Sequence, residues 1–404
     1  MSEAIELRRT LGLGMLVLYG LGVTVGAGIY ALVGTAATRA GIHAPVAFMI
    51  AAAVMALSAA SFAELSARFP VAAGEAAYVE AGLASRRLSL LVGLLVVAAG
   101  ILSAAPLSRG AARYLGVLIP APAWLLTVAV IVIMGLVAAW GITEAVALAG
   151  LMTLIEIGGL IVIVAAGLWR EPSMLADLPL SVEGLGSAAP WKGVLGASLI
   201  AVFAFIGFES MVNVAEEVKR PERLLPMAIA ITITISTVLY ILVVWVVINS
   251  VPAADIAASQ APVSLAYERL TGASPVVISL IAIVATINGV IVQMVMSSRV
   301  LYGLARRGAL PAILGRIDRR TQTPLIATVF VIAVTLALAV AFPIDRLADA
   351  TTRMMLVVFS LVNLALVVLK RREGNDGAAL AVPLAVPVLG VVSCLGLLIA
   401  DLIW

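Results

Sequence analysis

Gly22-Val23-Thr24-Val25-Gly26-Ala27-Gly28 and Phe203-Ala204-Phe205-Ile206-Gly207-Phe208-Glu209 are the two stretches whose reading decides the fold. Each interrupts a long apolar run near its middle, and Gly26 and Gly207 stand 181 residues apart. An apolar run of about 20 residues crosses the hydrocarbon core of a bilayer as a helix. Glycine inside a helix costs about 1 kcal/mol relative to alanine and admits backbone angles that other residues avoid. A helix that opens there exposes N–H and C=O groups where no water can satisfy them. Such groups persist at membrane depth only where they line a cavity or hold a ligand. One such glycine is equally well read as a close-packing position between helices. Two of them, matched between the halves of a chain, point instead to a carrier built from inverted repeats. The half-helix starting after a break offers a partly positive end to a carboxylate, and the opened carbonyls suit an ammonium group.

Working outward, apolar runs long enough to span lie near 11–35, 44–67, 88–118, 122–140, 143–169, 193–215, 224–250, 274–302, 324–342, 354–370 and 379–403. Of the 404 residues, 63% are hydrophobic and 12% charged, with a mean hydropathy of +1.19. That is about half the charge of a soluble domain, so a water-soluble globular fold is excluded. The alternation of a membrane β-barrel is absent. The expected fold is therefore all-α and polytopic, with about eleven transmembrane helices. Four segments follow: 1–169, a first five-helix repeat; 170–192, an outer connecting loop; 193–370, a second, inverted five-helix repeat; and 371–404, an inner loop with an additional C-terminal helix.

Met1–Thr10 runs straight into the first span, so no cleavable leader is expected. Most basic residues, from Arg8, Arg9, Arg68, Arg86 and Arg87 to Lys370, Arg371 and Arg372, fall in loops on one side. This places the N-terminus in the cytoplasm, Trp404 outside, and the chain in the cytoplasmic (inner) membrane. The basic balance (pI about 9.2) reflects that topology, and no nucleic acid partner is expected. With one cysteine, Cys394, and one histidine, His43, the chain offers no disulfide, no Cys- or His-built metal centre and no nucleophile–base pair. Neither an enzyme activity nor a cofactor is expected; the partners are a small solute and the bilayer. A channel and a non-transporting sensor are the rivals from other classes. A channel ordinarily shows a filter motif or a ring of short subunits.

Further stretches carry a resemblance. Ala215-Glu216-Glu217-Val218-Lys219-Arg220-Pro221-Glu222-Arg223-Leu224-Leu225-Pro226 follows the second break. Ser298-Arg299-Val300-Leu301-Tyr302-Gly303-Leu304-Ala305-Arg306-Arg307-Gly308-Ala309-Leu310-Pro311 ends the eighth span, and Ala63-Glu64-Leu65-Ser66-Ala67-Arg68-Phe69-Pro70 ends the second. With the two breaks, these resemble the amino acid–polyamine–organocation transporter superfamily, specifically its bacterial amino acid permeases, over most of residues 11–370. Members commonly have twelve helices, against eleven runs here. The resemblance implies the leucine-transporter-like fold, two inverted five-helix repeats with broken helices one and six, as a monomer or homodimer. It implies substrate contact at Thr24, Val25, Gly26, Ala27, Gly28, Phe203, Ala204, Phe205, Ile206 and Gly207. The N–H groups of Ala27 and Gly28 would hold the carboxylate, and the carbonyls of Thr24, Phe203, Ala204 and Ile206 the amino group. Phe203 stands where the family places an aromatic gate.

Ionisable residues at the centre of a span are functional candidates by default. The position of Glu156 resembles one that carries a lysine in proton-coupled members of that superfamily, and its acid is a departure from that pattern. Glu156 is read as the proton-coupling group, or as one ligand of a sodium site with Ser297 and Ser298. Glu209 is read either as linking the gate to protonation or as bracing the open backbone. Glu64, Glu75 and Glu80 are expected to pair with Arg68 or Arg86, and His43 to sit solvated in an outer turn. The core parts of the third, eighth and tenth spans offer Ile101, Leu102, Asn288, Gln293, Met294, Phe359 and Asn363, with no acid to meet a basic side chain. The reading favours a neutral, apolar L-amino acid carried by alternating access in symport with protons. A carrier of cationic amino acids or polyamines, or an amino acid exchanger, is the alternative.

Overall fold

A computed structural model describes residues 7 and 9–403, apart from 188, 260, 275, 342–343 and 374–379. The leader and orientation expectations that rest on Met1, Arg8 and Trp404 lie outside the described residues. The first run becomes two helices, α1 (Leu13–Val25) and α2 (Ala27–Ala40). They are followed by α3 (Ala44–Arg68), a short α4 (Gly74–Leu83), α5 (Arg86–Leu118), α6 (Ala123–Trp140) and α7 (Ile142–Arg170). Two short 3-10 turns fill the connecting loop. The second half opens with α8 (Trp191–Phe205), which gives way after Gly207 to a 3-10 segment, Phe208–Glu217. Then come α9 (Pro221–Ser250), the small α10 (Ala253–Ala258) and α11 (Pro262–Thr271), α12 (Val276–Arg306), α13 (Leu325–Ala341), α14 (Ile344–Glu373) and α15 (Ala385–Ile403).

Among the described residues, nine stretches are long and apolar enough to cross a membrane, and α13 and α15 hold two shorter apolar helices. Every run marked in the sequence holds one of these, and α4 is not among them. The packing follows from side-chain size. The broken helices approach each other through residues with little or no side chain. A Cβ on Gly28 would stand 3.2 Å from Ala204 Cα, and one on Gly207 would stand 2.9 Å from the Val23 carbonyl carbon. Gly207 also has φ +140°, a backbone conformation that a side chain resists. Beneath the breaks, Phe62 packs edge-on against Tyr78, Phe208 and Phe359 with ring centroids 5.5–6.1 Å apart.

On the face that carries α4, polar contacts lock the bundle. Arg299, wholly buried, donates to both carboxylate oxygens of Glu217 (3.2 and 3.4 Å). Glu64 accepts from Arg68 (2.6 Å) and Lys370 (2.8 Å), and Glu80 lies near Arg86 (3.6 Å) and Arg307 (3.4 Å). Two of the three expected pairings hold. Glu75 is the exception: it is wholly buried, and its partner is the Asn213 amide (2.9 Å). The Leu11 N–H donates to the Glu217 carbonyl, and the Lys219 N–H to the Leu11 carbonyl, both at 3.0 Å. His43 is also tied down, its Nδ1 lying 2.7 Å from the Ser181 carbonyl of the connecting loop.

Candidate functional site

The site grows from two chain interruptions. Gly26 leaves helical geometry at φ −45°, ψ −147°, so α1 ends at Val25 and α2 starts afresh at Ala27. The first N–H groups of α2 have no earlier turn to bond to, and no side chain caps them. They carry the positive end of the helix dipole. In the second half α8 stops at Phe205 and the chain turns through Ile206 and Gly207. Glu209 braces that turn: its Oε2 accepts from the Gly207 N–H at 2.8 Å. Of its two expected roles, the contact observed is the bracing one.

The two interruptions are joined by a residue that sequence reasoning missed. The Tyr240 hydroxyl, from α9, donates to the Ala204 carbonyl (2.9 Å) and to the Thr24 carbonyl. One proton thus serves a carbonyl from each broken helix. Phe205 packs edge-on against the Tyr240 ring at 4.9 Å and Phe48 at 6.0 Å, fixing its position. A signal was present: Tyr240 is the one residue with a polar tip in Thr237-Val238-Leu239-Tyr240-Ile241-Leu242 after Thr237, and a buried phenol ordinarily has a hydrogen-bond partner.

Both breaks open onto one cavity of about 350 Å³. Thr24, Gly26, Gly28, Phe203, Ala204 and Ile206, six of the ten residues expected near the substrate, line it. Gln293 of α12, Ser103 of α5 and Val263 of α11 help complete its wall. Among the described residues, none that lines it is charged. Among the described side chains, three of the expected contact residues are not in the lining. Val25 and Phe205 are fully buried and turn to the core instead. Gly207 is held against Val23 and Thr24. Ala27 contributes the start of α2.

Glu156 stands one residue behind this wall. The Tyr30 hydroxyl, which lines the cavity, donates to the Glu156 backbone carbonyl at 2.8 Å. Its carboxylate Oε1 accepts from the Asn288 amide at 2.8 Å, and that amide also reaches Thr153 Oγ1 at 3.1 Å. Its Oε2 has no hydrogen-bond partner among the described residues.

Ser297 and Ser298 do not join Glu156. They follow Asn288 by nine and ten residues on the same helix, about 13–15 Å along its axis. The Ser298 hydroxyl donates to the Val295 carbonyl (2.8 Å) and accepts from Arg299 (3.1 Å), so it is engaged with the ion pair of the α4 face. The expected three-residue cation site is therefore not assembled. Among the described residues no cluster of three His, Cys, Asp or Glu could hold a metal ion.

Comparison with known proteins gives consistent matches. The profile described as amino acid permease matches residues 11–403. The branched-chain amino acid permease BcaP of Bacillus subtilis is 28% identical over 99% of this chain and 89% of its own length. The vacuolar cationic amino acid transporter 4 of Arabidopsis thaliana is 29% identical over 93% of this chain, which spans 65% of that longer protein. The methylthioribose transporter of Bacillus subtilis is 26% identical over 97% of this chain and 87% of its own length.

Proposed function

The chain belongs to the amino acid permease family and is a multi-pass membrane protein; on that premise we propose that it is a secondary active carrier of a neutral, apolar L-amino acid. It works by alternating access in the cytoplasmic membrane, N-terminus inside, in symport with protons. One observation supports the substrate reading most: both breaks face a single cavity of about 350 Å³ with no charged side chain among the described residues of its wall. That size falls in the range of small-molecule sites. An α-amino acid brings one carboxylate and one ammonium group. The carboxylate meets the opening N–H groups of α2, and the ammonium group meets carbonyls of Thr24, Phe203, Ala204 and Ile206. The Thr24 and Ala204 carbonyls already accept one bond each from Tyr240 and retain a second lone pair. Phe203, partly exposed in the lining, is the gate. A basic side chain would enter this cavity without a counter-charge, which is costly.

Glu156 is the proton-coupling group in this reading. It lies one hydrogen bond behind Tyr30, and one of its oxygens is free to carry a proton. The purified protein in liposomes should exchange labelled leucine and alanine and accumulate them under a pH gradient. Glu156→Gln should abolish the accumulation and keep the exchange. Arginine exchanged in preference to leucine would make this a carrier of cationic amino acids instead. A sodium gradient that drives accumulation at constant pH would overturn the proton reading. Exchange of none of the twenty amino acids would overturn the carrier reading itself.

A further inference from the structure

The α4 face holds a buried acid that neither the cavity nor Glu156 uses. Glu75 lies in the first turn of α4 and is wholly buried. Its Oε1 accepts from Asn213 at 2.9 Å, and its Oε2 has no hydrogen-bond partner among the described residues. Other buried oxygens in the same state gather around it. Asn213 Oδ1 is one, on the amide that holds Glu75. The Ser210 hydroxyl is another, one 3-10 turn before Asn213 and so on the same face. The Tyr78 hydroxyl, one helical turn after Gly74 and close to it, and the Tyr19 hydroxyl of α1, which lies within electrostatic reach of Glu75, complete the set.

The charged groups nearby have other partners. Arg299 of α12 is held by both oxygens of Glu217, and Glu209 is bonded to the Gly207 N–H. Glu216 is held by the Ala72 N–H (3.1 Å) and the Tyr302 hydroxyl (3.2 Å). From α5, α12 and α14, the cations that reach α4 do so at its far end: Arg86 and Arg307 at Glu80, and Arg372 at the Ala81 carbonyl. Among the described residues no cation contacts Glu75. A bare carboxylate without a cation in such a place is strongly disfavoured. A proton on Oε2 turns that oxygen into a donor among acceptors that lack one.

We propose that Glu75 is a second proton-binding site, distinct from Glu156, whose proton holds α4 closed against the Phe208–Glu217 segment and is released to the water on the α4 side when that face opens. The proposal rests on the alternating-access reading above. Opening hydrates the carboxyl, its O–H bond breaks, the proton passes to water, and a carboxylate remains. Burial pushes the Glu75 carboxyl up to about 8, against smaller opposing pulls from the helix start and from Asn213. The neutral acid is therefore favoured in the closed state, and the ordinary, ionised acid in the open one. Raising the pH from the usual carboxylate range to about 8 progressively weakens closure, and above that the effect levels off.

The test is access to Val212, a buried residue of the same segment that packs on Gly74. Val212→Cys is introduced in a Cys394→Ser background and alkylated in liposomes across pH. Each rate is divided by that of the same thiol in unfolded protein, which removes the thiol's own ionisation. With Glu75 present, the normalised rate should rise at least about tenfold between about pH 5 and about pH 9. With Glu75→Gln, which keeps the acceptor for Asn213, it should be flat, and Glu75→Asp should restore the rise. A Glu75→Gln profile that keeps the full rise overturns the proposal, as does a flat profile with Glu75 in place. Amino acid exchange measured on the same liposomes reports separately on the carrier reading. Loss of exchange with an intact labelling profile would fault that reading and not the latch.

Discussion

Gly207→Ala is the perturbation that most directly tests the paired breaks. The added Cβ would stand 2.9 Å from the Val23 carbonyl carbon, 3.0 Å from the Thr24 nitrogen and 2.7 Å from Val23 Cγ1. The first two are backbone atoms of the other broken helix and cannot rotate away. The residue must also keep φ +140°. Strain of that kind costs about 1–3 kcal/mol, and overpacking a filled site about 1–3 kcal/mol more. Even the lower sum, about 2 kcal/mol, lowers the population with both breaks in register about 30-fold. The assay is the initial rate of amino acid exchange in liposomes, with Gly158→Ala as control. Gly158 is helical with open space around its Cβ position, so its substitution should be neutral or slightly stabilising. A Gly207→Ala protein that exchanges substrate within about threefold of the parent would refute the reasoning, because a cost under about 0.7 kcal/mol is incompatible with a backbone contact of this kind.

Tyr240→Phe keeps the ring packing with Phe205 and Phe48 and removes the shared proton. The Thr24 and Ala204 carbonyls then lose a donor, at a cost of about 1–3 kcal/mol, which should appear as a lower thermal midpoint and a raised apparent KM. Glu217→Gln leaves Arg299 buried without a counter-charge and should destabilise the protein by about 3–5 kcal/mol. The double variant Glu217→Leu, Arg299→Met should recover much of that loss in the same unfolding scan; no recovery would show that the charges themselves are needed.

The breaks were legible because they are local events. Glycine spacing within one run, repeated in a second, carries the information without reference to any other helix. The cavity wall was legible only in part. Thr24, Gly28 and Phe203 face it, whereas Val25 and Phe205 turn to the core, since a contiguous list of residues ignores helical rotation. Contacts between distant helices left little trace. Asn288 meets Glu156 across 132 residues, and Asn213 meets Glu75 across 138. Composition does not say which buried amide faces which acid. Ser297 and Ser298 misled for the converse reason: a plausible set of oxygens was assembled by type, and the rise of α12 keeps them apart.

The hydrogen bonds that link Leu11 to the Glu217–Lys219 segment are main-chain bonds. An alanine scan passing through these positions would leave both bonds intact and report only the loss of the buried Leu11 side chain and of the Glu217–Arg299 pair. Only removing an amide proton, as proline does at Leu11 or Lys219, would cut the tether. The tail and the loop are thus stapled in a manner blind to residue identity and to acidity, so drift in side chains can retune the rest of this face without loosening that one fastening.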